Sequence, residues 1–243
     1  MRIAAVQRTS FVDYPGKIAA VVFTPGCNLR CVFCHNRGLI DSVIPERPDS
    51  GKEFFAWLET RRGLLDAVVI SGGEPTLQPN LGGFIERIRA LGYTTKLDTN
   101  GTNPIVLASL IRSGLLDYAA MDVKATPHKY PAVCGVPVDM NSIERSMDVL
   151  MQGLVEYEFR TTCVPELTPD DILAIGQRLR GARRYVLQQY RELQLDTVPG
   201  RPRWVSMGYP AWLDGVRKRL GEMVGECSIR GFEDGPIPST RVR

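Results

Sequence analysis

Residues 67–91 read AVVISGGEPTLQPNLGGFIERIRAL, and this stretch sets the reading of the whole chain. The run 67–71 has the length and the β-branched, apolar composition of a buried strand. Gly72-Gly73-Glu74-Pro75 interrupts it. An amphipathic stretch, 81–91, follows as a helix that Gly92 ends, because glycine tolerates the left-handed conformation of a helix C-cap. The local unit is therefore strand, polar loop, helix.

The unit recurs on both sides. Upstream, 17–23 (KIAAVVF) reads as a strand. Ser50 and Glu53 then form a capping box that opens a helix reaching about residue 62, with Gly63 as its stop. Downstream, strands are predicted at 94–98, 118–123, 156–164 and 185–189. Between them come a helix at 104–113 ended by Gly114, and a helix capped by Asn141, with Glu144 three residues on, ended by Gly153. Thr168-Pro169-Asp170-Asp171 opens another, with a cap, a proline at the first helical position and acids in the first turn.

Strands alternating with helices imply parallel pairing through right-handed crossovers. Six units predict an α/β fold: a partial TIM-like (β/α)6 barrel, one domain over 1–243 with its core at about 17–190. An open doubly wound sheet would produce the same string. The C-terminal extension 191–243 leaves the rhythm, with Pro199 and Pro202, then a helix at 211–220 and a short strand around 227–230. It would close the barrel's open side or dock a partner.

At 243 residues a chain buries roughly 70–75% of its unfolded surface and needs no disulfide staples. A net charge of +3 gives no argument for nucleic acid or an anionic membrane. No apolar run approaches the ~20 residues of a membrane span, and the start carries no signal-peptide pattern. A soluble, cytoplasmic protein is expected, where clustered cysteines are metal ligands rather than disulfide partners.

Three of the six cysteines fall within Pro25-Gly26-Cys27-Asn28-Leu29-Arg30-Cys31-Val32-Phe33-Cys34-His35-Asn36, directly after the first strand. Three thiolates can hold three corners of an iron–sulfur cubane and leave the fourth iron open. Zinc held by the three cysteines and His35 is an alternative. Cys31-Val32-Phe33-Cys34-His35 also fits the haem attachment pattern, which leaves Cys27 without a role. Cys134, Cys163 and Cys227 are remote and read as ordinary buried cysteines.

The spacing Cys-x3-Cys-x2-Cys, with Phe33 before the third cysteine and Gly72-Gly73-Glu74-Pro75 after the second strand, resembles the signature of radical S-adenosylmethionine enzymes. The resemblance implies a 4Fe–4S cluster on Cys27, Cys31 and Cys34, reductive cleavage of S-adenosylmethionine, and a 5′-deoxyadenosyl radical. It places Phe33 near the adenine and assigns Gly72, Gly73 and Glu74 to the methionine ammonium.

Ser10-Phe11-Val12-Asp13-Tyr14-Pro15-Gly16, Cys34-His35-Asn36, Asp98-Thr99-Asn100-Gly101 and Met121-Asp122-Val123-Lys124 narrow the resemblance to glycyl-radical enzyme activating proteins. The similarity spans about 8–190 and is greatest to activators of anaerobic ribonucleoside-triphosphate reductase. It implies a monovalent cation bound by Asp98, Thr99 and Asp122 beside the cofactor carboxylate, with Arg160 contacting S-adenosylmethionine. The implied partners are a glycyl-radical enzyme, such as anaerobic ribonucleotide reductase, and a flavodoxin or ferredoxin electron donor.

The sequence also departs from the family. Tyr14 stands where many activators have glycine. Gln188-Gln189-Tyr190 replaces a histidine-containing strand end, and no second cysteine-rich insertion follows Cys34. A small-molecule enzyme resembling 7-carboxy-7-deazaguanine synthase is the rival, and a zinc-binding module is a rival of another class. The cysteine loop, Gly73-Glu74, Asp98-Thr99, Asp122 and Gln188 all fall at C-terminal ends of predicted strands, the face where barrels and open α/β sheets place their sites.

Overall fold

The computed structural model describes residues 1–41, 50–195, 202–206 and 210–231. In chain order they form β1 (Ala5–Ser10), β2 (Ala19–Thr24), α1 (Arg37–Ile40), α2 (Ser50–Glu59), β3 (Ala67–Gly72) and α3 (Leu81–Ala90). Next come β4 (Thr94–Thr99), α4 (Pro104–Arg112), β5 (Tyr118–Asp122), α5 (Tyr130–Cys134), α6 (Met140–Met151) and β6 (Glu156–Cys163). The chain continues with α7 (Pro169–Arg178), β7 (Arg184–Gln189), β8 (Arg191–Leu195), β9 (Pro202–Ser206), α8 (Leu213–Leu220) and β10 (Glu226–Arg230).

The main sheet has the order β1-β2-β3-β4-β5-β6-β7-β10. From β2 through β7 to β10 every neighbour is parallel, and β1 joins β2 antiparallel. The order never reverses, so successive right-handed crossovers put the helices on one face. A doubly wound sheet would reverse at a switch point. The fold is a partial barrel, with seven parallel strands where six were expected.

The six expected strands lie within two residues of their observed ends. Two differences stand out. The helix expected to start from Asn141 is capped instead by Asp139, whose carboxylate accepts from the Asn141 N–H at 3.1 Å. Asp139 sits in extended backbone, as an N-cap must, while Asn141 is already helical. Thr168 caps its helix as expected and forms a full capping box with Asp171, whereas the side chain of Ser50, in the box expected with Glu53, lies outside the described residues. In the C-terminal segment β8 and β9 pair as an antiparallel hairpin, and β10 extends the main sheet along β7. Gly176 lets α8 approach α7 there, since a Cβ on it would lie 2.0 Å from Leu220 Cδ2.

Alternate strand residues point to opposite faces. Those facing the helices, such as Val22, Ile70, Leu97, Met121, Phe159 and Leu187, build the large core. The inner face carries a small apolar plug of Tyr14, Ala19, Val21, Ala67, Val69, Tyr118 and Ala120 near the N-terminal strand ends. Toward the C-terminal ends this face turns polar, and the site begins there.

Candidate active site

A cavity of about 350 Å³ opens at the C-terminal ends of the strands. Cys27, Cys31, Phe33, Cys34, Gly72, Gly73, Glu74, Asp98, Thr99, Asp122, Arg160 and Gln188 all line it. Residues spread over more than half the chain therefore meet at one mouth.

Hydrogen bonds hold the cysteine loop on two sides. The Glu74 N–H donates to the Gly26 carbonyl at 2.8 Å, joining the loops after β2 and β3. On the other side the Arg30 and Val32 N–H groups donate to the carbonyls of Cys134 and Val133, at 2.8 and 3.2 Å. Gly73 has no room for a side chain, because a Cβ there would lie 1.9 Å from the Gly26 oxygen. Asn36 donates to the Gly72 carbonyl at 3.3 Å, and Asn100 donates to Asn28 Oδ1 at 3.0 Å. These asparagines are staples between the loops, which accounts for their place in the motifs.

Burial pushes the Cys27 and Cys34 thiols up. Cys31 moves the other way, because Cys134 donates a hydrogen bond to its sulfur and Lys124 lies close by. Among the described residues no three His, Cys, Asp or Glu side chains gather around a single-ion position. A cubane spreads three thiolates over three irons, so three thiols lining one cavity fit a cluster.

Below the thiols lies a chain of alternating charges. Lys96 Nζ donates to Asp98 Oδ1 at 2.8 Å, and Arg160 Nη1 lies 3.4 Å from the same oxygen. Arg160 Nε donates to Asp122 Oδ1 at 2.8 Å, and Lys124 Nζ to Asp122 Oδ2 at 3.2 Å. Burial pushes both carboxyls up, but Arg160 with Lys96 leaves Asp98 below the usual range, and Arg160 with Lys124 brings Asp122 to about 2. Three cations against two carboxylates leave this floor net positive. Lys124 Nζ also stands 5.5 Å from the centre of the Phe33 ring.

Glu158, fully buried, is held by a two-point contact from Arg230 on β10, at 2.9 and 2.7 Å, and by the Tyr118 hydroxyl at 3.1 Å. The C-terminal strand thus brings a cation into the barrel.

The profile of the Radical SAM superfamily matches residues 21–179. The chain belongs to the radical S-adenosylmethionine superfamily. A protein of Methanocaldococcus jannaschii named "putative glycyl-radical enzyme activating enzyme" is 36% identical over 77% of this chain and 79% of its own length. The pyruvate formate-lyase-activating enzyme of Staphylococcus epidermidis is 26% identical over 97% of both chains. Within the superfamily the chain therefore belongs with the activating enzymes. The crystal structure of SuiB from Streptococcus suis bound to S-adenosylmethionine superposes with a TM-score of 0.64 at 14% identity. That likeness is one of fold, and it covers 87% of this chain and 52% of SuiB, about half of SuiB's length.

Membership in the radical S-adenosylmethionine superfamily implies a 4Fe–4S cluster and S-adenosylmethionine, and sets aside the zinc and haem readings of the cysteine loop. Among the described residues no helix is long and apolar enough to cross a membrane.

One expectation changes in this radical S-adenosylmethionine site. The Glu74 carboxylate, expected to meet the methionine ammonium, is engaged by the chain's own donors. It is fully buried and accepts four hydrogen bonds: from Thr76 N at 3.1 Å, Thr76 Oγ1 at 2.6 Å, Thr99 Oγ1 at 2.8 Å and Asn100 N at 2.7 Å. Burial pushes its carboxyl up, against the pull of these donors. Thr99 is likewise engaged, accepting from the Gly101 N–H at 3.1 Å while it donates to Glu74.

The arrangement predicts the effect of Glu74→Gln. Each carboxylate oxygen faces a backbone N–H, so the amide NH2 must oppose a donor in either orientation. The expected loss is about 1–3 kcal/mol of folding stability, seen as a lower thermal midpoint in protein without cluster or cofactor. An unchanged midpoint would show that Glu74 does not hold these loops together.

Lys96, Lys124, Asn100 and Arg230 have no assigned role in the sequence reading. Lys124 and Asn100 lie inside the motifs quoted there. Lys96 carries a readable signal: it alternates with Asp98 along a strand, on the face opposite Leu97.

Proposed function

We propose that this enzyme generates a glycyl radical on a partner enzyme, and that the partner is an anaerobic ribonucleoside-triphosphate reductase. The observation that carries the reading is the cavity itself. Three thiols line it above a net positive floor, at the end of a barrel plugged below by Tyr14, Val21, Val69 and Tyr118.

In this reading Cys27, Cys31 and Cys34 hold the cluster as thiolates. The bound cluster supplies the electron that splits S-adenosylmethionine into methionine and a 5′-deoxyadenosyl radical. The remaining work belongs to the chain's own groups. The positive floor of Arg160 and Lys124 receives the cofactor carboxylate, since charge-assisted hydrogen bonds are strong where water is excluded. Asp98 and Asp122 aim those cations. With the Glu74 carboxylate turned inward, the backbone of Gly72 and Gly73 is what that segment offers to the ammonium. Phe33, on the cavity wall, gives the adenine an apolar face, and Gln188 lies across the mouth. The apolar plug keeps water out from below, as a primary carbon radical requires.

A flexible glycine loop suits such a mouth, because glycine carries no side chain and adopts backbone conformations closed to other residues. A reduced flavodoxin or ferredoxin would deliver the electron.

Anaerobic incubation of the cluster-loaded enzyme with S-adenosylmethionine, a reductant and the reductase should give a doublet electron paramagnetic resonance signal on the partner. Alanine in place of the partner's radical glycine should remove the doublet while cofactor cleavage continues. A doublet on pyruvate formate-lyase and none on the reductase would reassign the partner. No doublet on either, with turnover of a pterin-like small molecule, would overturn the activator reading.

A further inference from the structure

The family resemblance calls for a monovalent cation held by Asp98, Thr99 and Asp122, and the structure spends those oxygens elsewhere. Thr99 Oγ1 lies between Glu74 and the Gly101 N–H. Both Asp122 oxygens are paired, to Arg160 and Lys124. Asp98 Oδ1 is shared by Lys96 and Arg160, and Oδ2 accepts from the Ser71 hydroxyl at 3.1 Å. A metal ion needs several oxygens turned toward one point. Here they are turned toward ammonium, guanidinium and hydroxyl groups, and a further cation would meet three fixed positive charges at short range.

Lys96 is the unusual member of this set. Its side chain is 2% exposed, and its ammonium also donates to the Asp13 carbonyl at 2.6 Å. A lysine buried this deeply is tolerated only when paired and hydrogen-bonded. It arrives from below the Asp98 carboxylate, on β4, two residues before it. Its two oxygen partners come from β4 and from the loop after β1. An ammonium there supplies one positive charge and directed N–H donors, as a bound alkali ion supplies one charge to oxygen ligands.

We propose that the Lys96 ammonium is a built-in replacement for the monovalent cation of activating enzymes, neutralising and orienting Asp98 so that the cofactor site is complete without a metal ion. Lys96 is then a positioning residue, acting through Asp98. The inference rests on the reading of this cavity as the S-adenosylmethionine site.

The test is the affinity of cluster-loaded enzyme for S-adenosylmethionine, measured by anaerobic equilibrium dialysis at one ionic strength in tetramethylammonium, sodium or potassium chloride. The wild-type dissociation constant should agree within about twofold across the three salts. Lys96→Met should bind roughly 10- to 100-fold more weakly in tetramethylammonium, the scale of one lost charged hydrogen-bonding partner. Sodium, potassium or added methylammonium should restore most of that loss, a rescue that a merely structural lysine would not show.

A wild-type affinity that rises tenfold with sodium or potassium overturns the proposal, and this arm decides alone if the variant does not fold. A Lys96→Met protein that binds like wild type in every salt, or stays weak in every salt, also overturns it. No saturable binding by wild type in any salt overturns the site reading, and the inference with it. Failure to activate a glycyl-radical partner bears on neither arm.

Discussion

Single replacement of Cys27, Cys31 or Cys34 by alanine is expected to abolish the visible absorption of the cluster and S-adenosylmethionine cleavage together. The three thiols line one cavity, and the loop that carries them is tied to Gly26, Cys134 and Val133 by backbone hydrogen bonds. With a thiolate removed, an iron corner loses its protein ligand. Iron analysis after anaerobic reconstitution should fall from about four irons per chain toward zero. The same change at Cys163, on β6, or Cys227, on β10, should leave iron content intact. Cys134→Ala tests a subtler point, because its thiol donates to Cys31. It should retain the cluster. Full iron content in Cys31→Ala would remove the assignment.

Gly73→Ala is expected to be nearly as severe while removing no thiolate. The added Cβ would lie 1.9 Å from the Gly26 oxygen and 2.6 Å from its carbonyl carbon. Both are backbone atoms, so no side chain can swing aside. The loops must part, and the Glu74-to-Gly26 hydrogen bond goes with them. Overpacking of this kind costs about 1–3 kcal/mol. The larger effect falls on the cluster, since Gly26 immediately precedes Cys27. Iron loading should drop several-fold while far-ultraviolet circular dichroism stays native. Gly51→Ala is the control: it lies in α2 with nothing within 4 Å of a Cβ, and alanine favours helix. Equal iron loading in the two variants would show that the contact between Gly73 and Gly26 does not shape the cysteine loop.

The largest effects thus come from residues whose importance has different visibility. Cys27, Cys31 and Cys34 announce themselves by clustering. Gly73 belongs to a short turn motif, and its clash partner sits 47 positions earlier in the chain. Glu74 was legible as a residue of the site, but its engagement by the chain's own donors was not. A carboxylate after a glycine pair looks available to a ligand until Thr76, Thr99 and Asn100 are seen to saturate it.

What the sequence by itself determined was local. Apolar runs of strand length, glycines after helices and the cap at Thr168 placed six strands and most of their helices within a few residues. Loops at strand ends located the cysteines, Asp98, Asp122 and Gln188 on one face. Only the tertiary structure decided that the sheet runs without reversal, and that β1 and β10 extend it on either side. Strand order depends on which edges meet, and the alternating string of elements is the same for a barrel and a doubly wound sheet. The charge network was equally out of reach. A period of two shows that Lys96 and Asp98 share a face, as do Glu158 and Arg160. It does not show that these faces turn into one barrel, where Lys96 meets Asp98, Arg160 meets both aspartates, and Arg230 arrives from the far end of the chain to hold Glu158. Those pairings exist because curvature brings the strands' inner faces together, and buried charges persist there only where opposite charges meet them.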